Sequence, residues 1–317
     1  MVTETEGSFT IGDVSLHTKT WMPDGPPKAK VIMVHGFNDH VDRYYDFFPT
    51  LARAGIAVYG FDQRGWGRSV KHPSQRGLTG PTSLVIADIA AFIRLQLPSP
   101  VPIFVLGHSM GGGEVLTLAS SPEYEDLITQ VRGWILEAPF IAFAPEETPG
   151  WFKVLSGKLA SRLLPHFHLE HVIPPEHVVR DADVQQSIRD DNLLHNMGTL
   201  EGLASLLERT DNLFKRKVKL SPKVKSLVIM HGDHDKACSY ERAKEWFEAQ
   251  SIEDGQFKTY EGFYHQLHAD PGKEGFYQDV VNWILKRVGP EADSSRVPTI
   301  TTTAPTPLSE NAPNSKL

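Results

Sequence analysis

Short continuous apolar runs recur along the chain, each closed by glycine, proline or a polar loop, and longer helical patterns lie between them. Lys30–Val34 is the first strong one, a run of the kind a strand buried on both faces requires. Ala57–Asp62, Ile103–Leu106, Val131–Ala138, Val224–Gly232 and Phe257–Tyr260 follow as strands. Helical stretches fall around Tyr44, Tyr45, Phe47 and Phe48, over about Pro81–Leu97 with Pro81 in the first turn, after Ser109, from Tyr240, and over Glu274–Val288. Weak alternation before residue 28 (Phe9, Ile11, Val14, Leu16) predicts opening antiparallel strands. The alternation of strand and helix predicts an α/β fold, a mostly parallel central sheet with helices on both faces. Between residues 141 and 218 that rhythm stops, prolines accumulate and only helical patterns remain, so this segment reads as an inserted helical cap. The core is then residues 1–140 and 219–288. Residues 289–317, without aromatics and rich in Pro, Thr, Ser and Asn, read as a disordered tail.

The run ending at Leu106 breaks into Gly107-His108-Ser109-Met110-Gly111, followed by Gly112, Gly113 and a helical pattern. G-x-S-x-G in strand–turn–helix context is a nucleophile elbow, with Ser109 raised on a strained turn. Side chains at 107 and 111 would collide as strand and helix cross, so glycine stands at both. A serine hydroxyl needs a base in reach and a carboxylate to orient that base. Two later strands end in suitable loops: His231-Gly232-Asp233-His234-Asp235 and Glu261-Gly262-Phe263-Tyr264-His265. Asp233 follows the glycine and suits a turn cap, so Asp235 is favoured as the acid. His265 is first after its strand and is favoured over His268 as the base. The backbone N–H groups of Met110 and of Phe37, in the loop after the first central strand, are the candidate oxyanion donors.

The blocks HGFNDHVDRY, FDQRGWGRS, GHSMGGG, HGDHDKAC and EGFYHQLH together resemble the monoacylglycerol lipases of the α/β-hydrolase superfamily, the fungal members above all. The likeness spans roughly residues 10 to 288 and includes the stretch from Val179 to His195, with Asn192 where the family usually carries proline. It implies a serine hydrolase that cleaves monoacylglycerols to fatty acid and glycerol through an acyl-enzyme, without a cofactor or metal. The family's nucleophile, acid and base fall on Ser109, Asp235 and His265, and its oxyanion amides on Phe37 and Met110. Its polar pocket for the glycerol headgroup falls on Asp39 (one methylene shorter than the usual Glu), Arg43 and His268. Cys238 matches a pocket cysteine of the animal members. Lysophospholipase or general carboxylesterase activity, or a hydrolase-fold ligand-binding protein, are the alternatives.

Composition adds limits. The net charge of −7, from 32 basic and 39 acidic residues, gives no reason to expect nucleic acid as a partner. The single cysteine excludes an internal disulfide, and neither a signal sequence nor a spanning run is visible, so a cytoplasmic protein is expected. In the cap, Trp151, Phe152, Leu155 and Leu159 share one helical face, which predicts a lid lining an acyl tunnel and lying on a membrane or lipid-droplet surface. His166, His168 and His171 match no zinc spacing.

Overall fold

The chain is described as a computed structural model over residues 1–148 and 160–288. Two antiparallel strands, β1 (Thr3–Ile11) and β2 (Val14–Met22), lead into β3 (Ala29–Val34), β4 (Ile56–Phe61), β5 (Ile103–His108) and β6 (Val131–Glu137). After the insertion come β9 (Ser226–Gly232) and β10 (Asp254–Tyr260). The eight form one sheet in the order β1-β2-β4-β3-β5-β6-β9-β10, parallel from β4 to β10.

The unbroken apolar runs follow from burial on both faces. Ile32 and Val34 of β3 pack with Ile89 of α2 (Thr82–Arg94) and Val115 of α3 (Met110–Ala119). Val31 and Met33, pointing the other way, pack with Phe47 and Phe48 of α1 (Phe47–Arg53) and with Phe276 near the C-terminal end of the described chain. The expected aromatic helix is two pieces, a 3₁₀ turn Val41–Tyr44 and α1, because Tyr45 breaks the helix with φ 46°. Pro81 sits at the N-cap of α2, one place before the expected first turn.

Within the insertion, β7 (His168–Glu170) and β8 (Met197–Thr199) pair as a small two-stranded antiparallel sheet, which three-residue strands could not announce through periodicity. Three helices complete the described part: α5 (Pro175–Val178), α6 (Ala182–Asp190) and α7 (Leu200–Phe214); the short α4 (Glu125–Ile128) precedes β6 in the core. Helices α8 (Tyr240–Glu248) and α9 (Lys273–Leu285) flank β10. The lid expectation on Trp151, Phe152, Leu155 and Leu159, and the tail from residue 289, lie outside the described residues. No described helix is long and apolar enough to cross a membrane.

The insertion is fastened to the core by polar contacts. Asn38 Oδ1 accepts from the N–H groups of His195 and Asn196, both at 2.7 Å, and its NH2 donates to Asn196 Oδ1 at 2.7 Å. His195 lies flat on Trp66 with ring centroids 5.0 Å apart. Arg209 of α7 reaches Glu114 of α3 at 2.9 Å, a fully buried ion pair.

Candidate active site

Ser109 sits between β5 and α3 with φ 55° and ψ −119°, a conformation a side chain adopts only under constraint. The constraint is close packing. A Cβ on Gly107 would lie 2.6 Å from Gly111 O, and one on Gly111 would lie 2.2 Å from Val34 O. The Ser109 N–H donates to Glu137 O at 3.0 Å, and Ser109 O accepts from the N–H groups of Gly113 and Phe140. The turn is thus held from both sides.

The loops after β9 and β10 bring the other predicted groups together. His265 Nδ1 and Asp235 Oδ2 are 2.7 Å apart, both residues buried. Asp235 Oδ1 accepts from the N–H groups of Ala237 and Cys238 at 2.8 and 2.9 Å, which fixes the carboxylate. His231, which sequence reasoning passed over, adds Nε2 at 2.9 Å to Oδ2. Burial opposes ionisation of Asp235, but His265, and then His231, hold its carboxyl far below the ordinary value. Burial likewise opposes charge on His265, and the Asp235 carboxylate overrides it and raises the proton affinity of the imidazole. Asp233, expected to cap its own turn, instead accepts from the Gly262 N–H in the loop after β10 at 2.6 Å.

Ser109 Oγ is turned toward Cys238 Sγ at 3.9 Å and makes no hydrogen bond to His265 in this structure. The thiol also lies within 4.8 Å of a His265 ring nitrogen. Burial pushes the Cys238 thiol up, away from the reactive thiolate form.

Two cavities meet at Ser109. The larger, about 300 Å³, is walled mainly by apolar side chains, among them Phe140, Phe143, Leu203 and Leu207, and touches Phe37 and Met110. Its cap wall is α7. The smaller, about 60 Å³, is the more polar of the two, with Asn38, Asp39, Arg43, Asn196, His265 and Gln266 set among the apolar Phe37, Ile173, Val178, Ile188 and Leu194. Met110 opens α3, so its N–H has no helical carbonyl to meet. Phe37 is held by a rigid loop: His35 Nε2 accepts from Gln63 N–H and Gln63 Nε2 donates to His35 O, both at 2.8 Å.

The headgroup residues implied by resemblance separate. Asp39 and Arg43 line the small cavity. His268 does not line it. Its N–H and Nδ1 both face Glu137 Oε1, at 3.0 and 2.7 Å, and Tyr44 covers its ring at 4.4 Å, leaving it fully buried behind His108. Glu137, at the end of β6, carried no signal in the sequence beyond a charge inside an apolar run. Burial opposes its ionisation too, and His268 with His108 holds its carboxyl below the ordinary value.

A mostly parallel sheet of this order, with a strained G-x-S-x-G serine after its central strand, defines an α/β-hydrolase. Residues 25–272 match the family described as serine aminopeptidase, S33. A Schizosaccharomyces pombe protein assigned as a monoglyceride lipase is 33% identical over 304 residues, covering 92% of this chain and 79% of that protein. The Paleococcus ferrophilus monoacylglycerol lipase structure is 26% identical with a TM-score of 0.74, covering 86% of this chain and 98% of its own. A soluble variant of the Saccharomyces cerevisiae monoglyceride lipase, solved with a substrate analog, shares the fold at a TM-score of 0.79 and 19% identity, covering 90% and 97%. The chain belongs to the monoacylglycerol lipase group of this serine hydrolase family.

Proposed function

We propose that the protein hydrolyses monoacylglycerols, with Ser109 as nucleophile, His265 as general base and then acid, and Asp235 orienting the imidazole. The observation that carries this reading is the His265–Asp235 pair standing beside a strained serine where a large apolar cavity meets a small, more polar one. As substrate enters, Ser109 Oγ rotates from Cys238 onto the free nitrogen of His265; catalytic hydrogen bonds commonly tighten only on binding. Oγ attacks the ester carbonyl, and the oxyanion is held by the N–H groups of Phe37 and Met110. His265 then protonates the departing glycerol, and water activated by the same imidazole releases the fatty acid. The acyl chain occupies the apolar cavity and glycerol the polar one.

A neutral alcohol suits the small cavity better than a phosphorylated one. Asp39 is buried there and, despite the burial, its contact with His108 holds it ionised, so it would repel a phosphate. Leu163, Leu164, Phe167 and Val172 expose more than half of their surface on the cap. We assign this patch to peripheral contact with a membrane or lipid-droplet surface. Release of glycerol from 1-oleoylglycerol by wild type and Ser109→Ala, beside lysophosphatidylcholine and p-nitrophenyl butyrate, tests the reading. Ser109-dependent turnover of the monoacylglycerol well above the lysolipid is expected. Turnover of the short ester alone would remove the substrate assignment and leave a general esterase. Leu163→Glu with Phe167→Glu should weaken flotation with anionic vesicles without loss of short-ester hydrolysis; unchanged flotation would remove the surface assignment.

A further inference from the structure

The polar groups around the small cavity differ in how much hydrogen-bonding capacity they have left. Asp39 accepts from His40 N–H at Oδ1 and from the Tyr44 hydroxyl at Oδ2, both at 2.8 Å. The Arg43 guanidinium is turned to the cap, on Ser187 O, Ser187 Oγ, Asp191 and the Tyr45 hydroxyl. Asn38 directs both ends of its carboxamide to residues 195 and 196. Two groups differ: Gln266 Oε1 and His108 Nε2 are buried and have no partner, and of the two the carboxamide lies on the loop that carries His265. A buried amide oxygen without a partner is unfavourable, and a bound donor would relieve it.

The backbone at this position is fixed. Gln266 N–H donates to Val178 O at 2.8 Å, and Gln266 O accepts from the N–H groups of Ala269 and Asp270 at 3.0 and 2.9 Å. It directly follows His265, so its side chain borders the place where the alcohol leaves. Turned over, the same carboxamide would present its NH2, and a hydroxyl can answer either end.

We propose that Gln266 is the specificity-determining residue for the leaving alcohol: its unpartnered carboxamide hydrogen-bonds a free hydroxyl of a neutral polyol. This rests on the reading of the small cavity as the alcohol side. An ester of a simple alkanol leaves the carboxamide unpaired, and sites built to bind a hydroxyl discriminate strongly against substrates lacking one.

The test is the ratio of kcat/KM for 1-oleoylglycerol over ethyl oleate, in wild type, Gln266→Leu and Gln266→Glu. Wild type should favour the glyceryl ester. Gln266→Leu should lower the ratio by about 10- to 100-fold, and Gln266→Glu, which keeps an acceptor, should retain more of it. Labelling of Ser109 by a fluorophosphonate, which has no polyol, reports whether each variant is folded; if Gln266→Leu misfolds, Gln266→Ala, which also removes the carboxamide, takes its place. A ratio within twofold of wild type in the folded variant that lacks the carboxamide overturns the role of Gln266, even if both rates fall together. A wild type without preference for the glyceryl ester overturns the alcohol-side reading as well, so the two failures are distinguishable.

Discussion

Alanine at position 111 tests whether the elbow is held by close approach of backbone. A Cβ there would lie 2.2 Å from Val34 O and 2.5 Å from His35 O, where contacts under 3.0 Å essentially never occur. Both obstacles are main-chain carbonyls in or beside a central strand, so no side-chain rotation relieves them. Either α3 or β3 must move by most of an ångström. Overpacking of this kind costs about 3 kcal/mol or more, the upper end of the usual range. For a chain of this size that lowers the melting temperature by about 5 °C. Gly275→Ala is the control, because Gly275 is an exposed position of α9 with nothing within 4 Å of its added Cβ. It should gain about 0.5–1 kcal/mol from helix propensity. Thermal denaturation gives both signs, and the rate of fluorophosphonate labelling shows whether Ser109 has left its strained position. Melting of Gly111→Ala within about 2 °C of wild type, with an unchanged labelling rate, would refute the account of the elbow.

Asp235→Asn should lower kcat/KM by about 10⁴-fold. Because Asp235 raises the proton affinity of His265, the acid limb of the pH–rate profile should also move to lower pH; an unmoved limb would mean that another group sets it. Arg209→Met strips the buried Glu114 of its partner and should cost about 3–5 kcal/mol at pH 8, read by denaturant unfolding. Burial pushes the Glu114 carboxyl up to about 7 against an ordinary 4.5 even with Arg209 present. Its contribution to stability is therefore full below pH 4.5 and lost as pH rises through 7, and Glu114→Gln should flatten that slope. Leu207→Trp, filling the apolar cavity, should reduce kcat/KM for oleoyl relative to butyryl esters by about 10- to 100-fold; equal loss on both would place the acyl chain elsewhere.

The sheet was legible because burial on both faces writes a continuous apolar run, and Val31–Val34 or Val105–Leu106 can do little else. The elbow was legible because its geometry tolerates only glycine at 107 and 111. Asp235 and His265 could be named because each lies just past a readable strand. What escaped depends on pairs distant in sequence. Asn38 and Asn196 are 158 positions apart, and Arg209 and Glu114 are 95; no local pattern marks either. His268 shows the limit of resemblance, because its position matched a pocket residue while a carboxylate on β6, at Glu137, draws its ring away from the cavity.

The two sides of Ser109 are held in different ways, and this bears on how each can change. On the alcohol side, cap and core meet through directed hydrogen bonds. Val178 O takes the Gln266 N–H, and Arg180 reaches Asp270 Oδ2 at 2.8 Å. Asp270 Oδ2 in turn accepts from Tyr264 N–H at 3.0 Å, beside His265. A substitution there removes a partner from a buried group and disturbs the base itself. On the proposed acyl side, the leucines of α7 and Phe140 and Phe143 line one cavity with apolar surface that has no direction, so a change in volume alters chain length by degrees and leaves the reacting groups in place. On the proposed assignment of the two cavities, selectivity for the alcohol is bound to the loop that carries His265, whereas selectivity for the acyl chain is separable from it.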